Sequence, residues 1–214
     1  MKMDQDIKGA LGGCIRQMLY LVVCIGVMML QHLAARHWHE NTYAENGLVE
    51  NMQFAFLVAA CLVFFVQTFV RGEHRTVLFF LSGLCALGAC REMDRVLDGL
   101  IPVLSWKVGI LFVIIPLVFA LRRRGEAMEC LARFLRSRCF TMLCGAFTVI
   151  LVLAQLIGHK PYLKAVFVDM EHFGTIKEMV EESIETIGYV MILMASVESW
   201  FEPCGIVRAK EGQD

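Results

Sequence analysis

The sequence predicts an all-α fold, a polytopic transmembrane helix bundle of six spans with both termini on the cytoplasmic side. Three observations predict it. Of 214 residues 57% are hydrophobic and only 19% charged, with a mean hydropathy of +0.61, where a soluble domain averages about 25% charge. The apolar residues fall in uncharged runs approaching the ~20 residues that cross a bilayer. The basic residues alternate in density between successive joins. This composition excludes a disordered tail, a collagen-like fibre and a disulfide-stapled secreted module. A formal net charge of -1 argues against a nucleic-acid binder, which would show a basic domain.

The first span, 14–35, follows a segment charged at Lys2, Asp4, Asp6 and Lys8. Those charges exclude a lipoprotein signal ahead of Leu11-Gly12-Gly13-Cys14, and Leu33-Ala34-Ala35 lacks a cleavage pattern, so the helix is read as a retained anchor. The second, 48–70, has 20 uncharged residues between Glu50 and Arg71, and the fifth, 140–157, has 20 between Arg138 and His159. The third, 77–95, has only 15 between Arg75 and Arg91; the fourth, 106–121, has 14 between Lys107 and Arg122 and is kinked at Pro116. The sixth, 179–201, has 12 between Glu185 and Glu198. Gly and Pro punctuate the joins, at Gly47, Gly72, Gly99 with Pro102, Gly125, Gly158 with Pro161, and Pro203. With no repeat and no long linker, residues 1–214 read as a single membrane-embedded domain.

Orientation follows from the basic residues. The N-terminal segment, the second-to-third and fourth-to-fifth joins and the tail hold 13 Lys and Arg; the opposite joins hold seven, Arg36, Arg91, Arg95, Lys107, Lys160, Lys164 and Lys177. Basic joins stay cytoplasmic. Trp38, Tyr43, Trp106 and Tyr162 suit the outer interface, and Tyr20 and Trp200 the inner one. The six arginines from Arg122 to Arg138 read as an ordinary retention signal, with an amphipathic segment lying on anionic lipid as the alternative.

Twelve residues of helix cover about 18 Å, well short of the ~30 Å hydrocarbon layer. The short spans therefore carry ionisable groups inward. The outer ends supply Glu50, Asn51 and Gln53; Arg91, Glu92, Asp94, Arg95 and Asp98; Lys107; His159 and Lys160; and Glu181, Glu182 and Glu185, with His32, His37 and His39 from the first helix. Glu50 and Gln53, and Glu181 and Glu185, share helix faces by spacing. The pattern predicts an outward-opening recess whose ligand or cation is held by Glu50, Gln53, Arg91, Glu92, Asp94, Lys107, Glu181, Glu182 and Glu185. Arg91 or Arg95 is expected to pair with Glu181 or Glu185, and Glu198, beside Trp200, to reach the headgroups.

Chemical motifs are sparse. His37-Trp38-His39-Glu40 places alternate residues on different faces of a helix, which disfavours a metal site. Glu181-Glu182 is similar to the paired Glu of membrane CAAX-type proteases, but the Arg and His that should follow are missing. No G-x-S-x-G, H-E-x-x-H, Walker or dinucleotide motif occurs. If a divalent metal is the cofactor, its candidate ligands are Glu181, Glu185, His159 and His172. The segment Val180-Glu181-Glu182-Ser183-Ile184-Glu185-Thr186-Ile187-Gly188-Tyr189, with Arg91-Glu92-Met93-Asp94 and Trp106-Lys107, resembles a pattern of uncharacterised bacterial polytopic inner-membrane proteins. That resemblance implies placement in a bacterial inner membrane and brings no activity with it.

The leading functional expectation is cation or proton binding in the recess, for transport or sensing. A metal-dependent membrane hydrolase or transferase acting on a lipid or headgroup is the enzymatic alternative, and a scaffold subunit the third. The expected partners are membrane lipids and, for a scaffold, another subunit or copy; nucleic acid is not among them.

Overall fold

A computed structural model describes residues 2–38, 42–43, 47–71, 75–100, 105–157, 159 and 173–201. Apart from short connections these are helical, and no strand occurs among the described residues. The helices are α1 (Lys2–Trp38), α2 (Leu48–Val70), α3 (Arg75–Glu92), α4 (Asp94–Leu100), α5 (Val108–Arg122), α6 (Arg124–Phe134), α7 (Arg138–Ile157) and α8 (Phe173–Phe201). A 3-10 turn, Ser105–Lys107, leads into α5, and the Ser137 hydroxyl caps α7 by accepting from the Phe140 N–H at 2.9 Å.

Among the described residues, four helices are long and apolar enough to cross a membrane: Gly9–His37 within α1, Leu48–Val70, Arg138–Ile157, and Ile176–Phe201 within α8. The other two expected spans are shorter, 18 residues in α3 and 15 in α5, or about 27 and 22 Å. The charges that close them at Arg75, Arg91 and Arg122 set those lengths. The third expected span also ends earlier than 95, because the helix breaks at Met93 before α4 resumes.

Packing places the least apolar of the membrane-length helices at the centre. In α8, 61% of the most apolar window is buried, against 11% in α1. It is flanked by α2, α7 and α1, while α3 lies on α2 and α5 and α6 lie on α3. A helix carrying Glu182, Glu185, Thr186, Ser196, Glu198 and Ser199 is tolerated in lipid only with those groups turned to protein, so its central place follows from its composition. The apolar α1 and α5 are peripheral and leave Leu19, Val22, Ile25, Leu111, Ile115 and Leu121 exposed.

The core joins Leu57, Ala60 and Phe64 of α2, Leu81, Cys85 and Ala89 of α3, Leu143, Ala146 and Ile150 of α7, and Tyr189, Ile192 and Ala195 of α8. Small residues let the backbones approach, as in membrane helix pairs generally. Pro116 has no N–H for the Phe112 carbonyl four residues earlier. That carbonyl is turned on Gly83 of α3, where an added Cβ would stand 2.1 Å from its oxygen. Residues Thr148–Ala154 of α7 are π-helical, and Ile150 within them seats against Gly188 of α8. The stretch expected as a simple retention signal contains α6, whose Cys130 is buried; burial pushes its thiol above the ordinary range.

Candidate functional site

At the end of the bundle where α2 and α8 begin and α3 ends, buried polar groups converge. Gln53 projects from α2 with 0% exposure. Its Nε2 donates to the Glu182 backbone carbonyl at 3.1 Å, to Glu182 Oε2 at 2.8 Å and to Thr186 Oγ1 at 3.0 Å. Thr186 in turn donates its own hydroxyl to the Glu182 carbonyl at 2.7 Å. Three acceptors fix which end of the amide faces α8, and Gln53 Oε1 is left with no donor among the described residues.

One turn further along α8, Glu185 is 5% exposed and its Oε1 accepts from Gln155 Nε2 of α7 at 3.4 Å. Gln155 follows directly on the π-helical turn; such turns concentrate at functional sites. Another turn on, the Tyr189 hydroxyl donates to Glu92 Oε1 at 2.6 Å, and Glu92 is itself buried near the end of α3. The i, i+3, i+4 spacing of Glu182, Glu185, Thr186 and Tyr189 thus lays four polar groups along one face of α8, met in turn by α2, α7 and α3.

Arg91 lies within electrostatic reach of Glu92, Glu182, Glu185 and Tyr189, and Glu50 and Asp94 within reach of Glu92. The expected ion pair between Arg91 and Glu181 or Glu185 is replaced by other partners. Glu181 pairs with Lys177 along α8, Glu185 takes the neutral Gln155, and Arg91 stands exposed without a direct ion pair among the described residues. The side chain of Arg95 lies outside the described residues.

Of the predicted site residues, Gln53, Glu92, Glu182 and Glu185 are brought together, with Glu50, Arg91 and Asp94 around them. Lys107 is exposed in the turn before α5, His159 is exposed beyond α7, and His172, His39 and Lys160 lie outside the described residues. No three His, Cys, Asp or Glu side chains form a metal-ligand group among the described residues. Thr186 is the addition that spacing did not assign; Tyr189 continues the acidic stripe of the sixth span by spacing, and Gln155 stands out as a lone amide in an apolar helix.

A second polar cluster occupies the opposite end. Glu198, expected at the headgroups, is 1% exposed because α1 closes over it. Arg16 donates to it through Nε and Nη2 at 3.0 Å each, Tyr20 through its hydroxyl at 3.0 Å, and Arg138 approaches to 3.9 Å. Beside it Gln67 Nε2 donates to the Ser196 carbonyl at 2.9 Å and the Ser199 hydroxyl to Gln67 Oε1 at 2.9 Å. Every charge and amide atom in these contacts has a partner, so this cluster reads as a clamp, whereas the Gln53 end holds acceptors in excess.

No family model, curated protein or solved structure matches the chain. Among the described residues, the fold is all-helical with four membrane-length helices, and the site is a cluster of carboxyl and amide groups where α2, α3, α7 and α8 meet.

Proposed function

We propose that the chain is a multi-pass protein of a bacterial inner membrane, with six spans and both termini inside, whose recess opens outward and binds a proton or small cation. The observation that carries this reading is the surplus of acceptors. Glu92 and Glu185 are bonded by neutral donors, and beside them the Gln53 carbonyl oxygen has none among the described residues. Carboxylates held at membrane depth, with Arg91 the one guanidinium near them among the described residues, are balanced when a proton or cation joins them.

Sensing is favoured over through-transport. Along α8 the polar groups stop at Tyr189 and resume at Ser196, about 10 Å on, and Val190, Ile192, Met194 and Ala195 between them are buried apolar side chains. Occupancy of the recess would then act through the α2, α3 and α7 contacts that its residues already make. The enzymatic alternative, hydrolysis or transfer on a lipid by a bound metal, requires a ligand set that the described residues do not assemble.

Two measurements test the proposal. Reporter fusions after Arg124 and after Lys164 give cytoplasmic and external signals respectively; the reverse pattern refutes the orientation. Glu185→Gln keeps the side-chain volume and removes the charge. It abolishes the stabilisation of the detergent-solubilised protein by acid or by added cation, while the variant stays folded; an unchanged response removes Glu185 from the site.

A further inference from the structure

The recess is continuous with a second feature. The Tyr189 ring and Arg91, which border the carboxyl cluster, also line a cleft of about 300 Å³ between α3 and α7, floored by Leu57 and Phe64 of α2 and Ile192 of α8. That volume is at the small end of the range for ligand sites, roughly 300–1,000 Å³. The cleft follows α3 from Leu81 to Arg91, about 15 Å along the helix axis. Its walls are aliphatic and aromatic for that length, and Arg91 is its one charged lining residue among the described residues, at the same end as Trp106.

We infer that this cleft holds one acyl chain of a phospholipid whose phosphate is bound by Arg91. The polarity gradient matches such a molecule end for end: a guanidinium and an indole at one end, and only carbon-rich side chains beyond them. Indole rings favour the headgroup level of a bilayer, and a guanidinium presents a planar fork of donors suited to phosphate oxygens. Arg91 is exposed, lines the cleft and makes no direct ion pair among the described residues. The outer wall is itself open, since Leu151 of α7 lines the cleft while 62% exposed; a chain can therefore enter sideways from the membrane. An apolar helix of a second copy would fill the walls but bring Arg91 no anion to bond directly. The inference stands independently of what occupies the carboxyl cluster.

Native mass spectrometry of the delipidated, detergent-solubilised full chain tests it, with palmitoyl-oleoyl phosphatidylglycerol and the diacylglycerol of the same chains as probes. One phosphatidylglycerol binds per protein, and diacylglycerol binds about tenfold more weakly, the loss of a charge-assisted contact. Arg91→Gln weakens phosphatidylglycerol by a similar factor, and so does Leu151→Trp, which fills the cleft from its exposed wall; thermal unfolding checks that both variants are folded. Absence of a phosphatidylglycerol adduct, equal binding of diacylglycerol, or unchanged binding in either folded variant overturns the inference. The comparison of the two lipids on the unaltered protein decides the phosphate contact even where a variant fails to fold.

Discussion

Glu198→Gln destabilises the bundle by about 3 kcal/mol, the low end of the range for removing one partner of a buried ion pair, although it exchanges a single oxygen for an amide nitrogen. The low end applies because Arg16 keeps 26% of its side chain exposed while Glu198 has 1%. In the native protein both Glu198 oxygens accept from Arg16, one of them also from Tyr20, and Arg138 adds a longer contact. The variant leaves the Arg16 guanidinium with the Phe201 ring, 4.7 Å from its centroid, and turns one amide donor toward another donor. The effect falls on α1, which packs chiefly on α8. Thermal unfolding in detergent measures it, and Arg16→Gln combined with Glu198→Gln recovers part of the loss, since no charge is then stranded. Equal stability of Glu198→Gln and the unaltered protein would falsify the clamp.

Gly83→Ala has the other large effect. Side chains can yield to a new methyl group, but here the obstacle is backbone: the Phe112 oxygen 2.1 Å and its carbonyl carbon 3.0 Å from the Cβ position, with Pro116 Cγ at 3.2 Å. Accommodation requires α5 to move off α3, and overpacking of this kind costs typically about 1–3 kcal/mol. Because α5 reaches the bundle through α3, the variant exposes the α3–α5 pair to proteolysis before the rest unfolds. Pro116→Ala alone, which restores a donor to the Phe112 carbonyl, straightens α5 and weakens the same contact. Limited proteolysis at the 101–104 connection checks both; cleavage as slow in Gly83→Ala as in the parent protein argues against this packing.

The apolar runs made most of the fold legible, because a bilayer-length stretch without charge has few alternatives to a helix. The second span was read at its observed bounds, 48–70, and the fifth within two residues. What the runs left undetermined was rank. Charge spacing marked the third, fourth and sixth spans alike as short, whereas the sixth is a central helix of 29 residues and α3 and α5, of 18 and 15 residues, are a flanking pair. The candidate site was legible in Gln53 and Glu185 as polar residues near span ends, but spacing set Glu185 beside Glu181, whereas the contacts gather Glu182, Glu185, Thr186 and Tyr189. It was not legible where a choice between partners governs it. Arg91 was assigned a carboxylate by charge alone, but Glu181 has a lysine four residues away on its own helix, and Glu185 meets an amide from α7. Glu198 was assigned to the interface because Trp200 and Pro203 follow it; its actual environment depends on Arg16 and Tyr20, one turn apart on a helix some 180 residues earlier. Nothing local to Glu198 signals that.

The central claim is that the Gln53 end takes up a proton or cation at its carboxyl groups. Infrared difference spectroscopy of the reconstituted protein, titrated with acid and then with sodium or calcium at constant pH, reads those groups directly. The account predicts a protonated-carboxyl C=O band that forms on acidification, is reduced when an added cation replaces the proton, and loses one component in Glu185→Gln while Glu126→Gln, on the exposed face of α6, leaves it intact. A spectrum with no such band, or one identical in the protein and in Glu185→Gln, would contradict it.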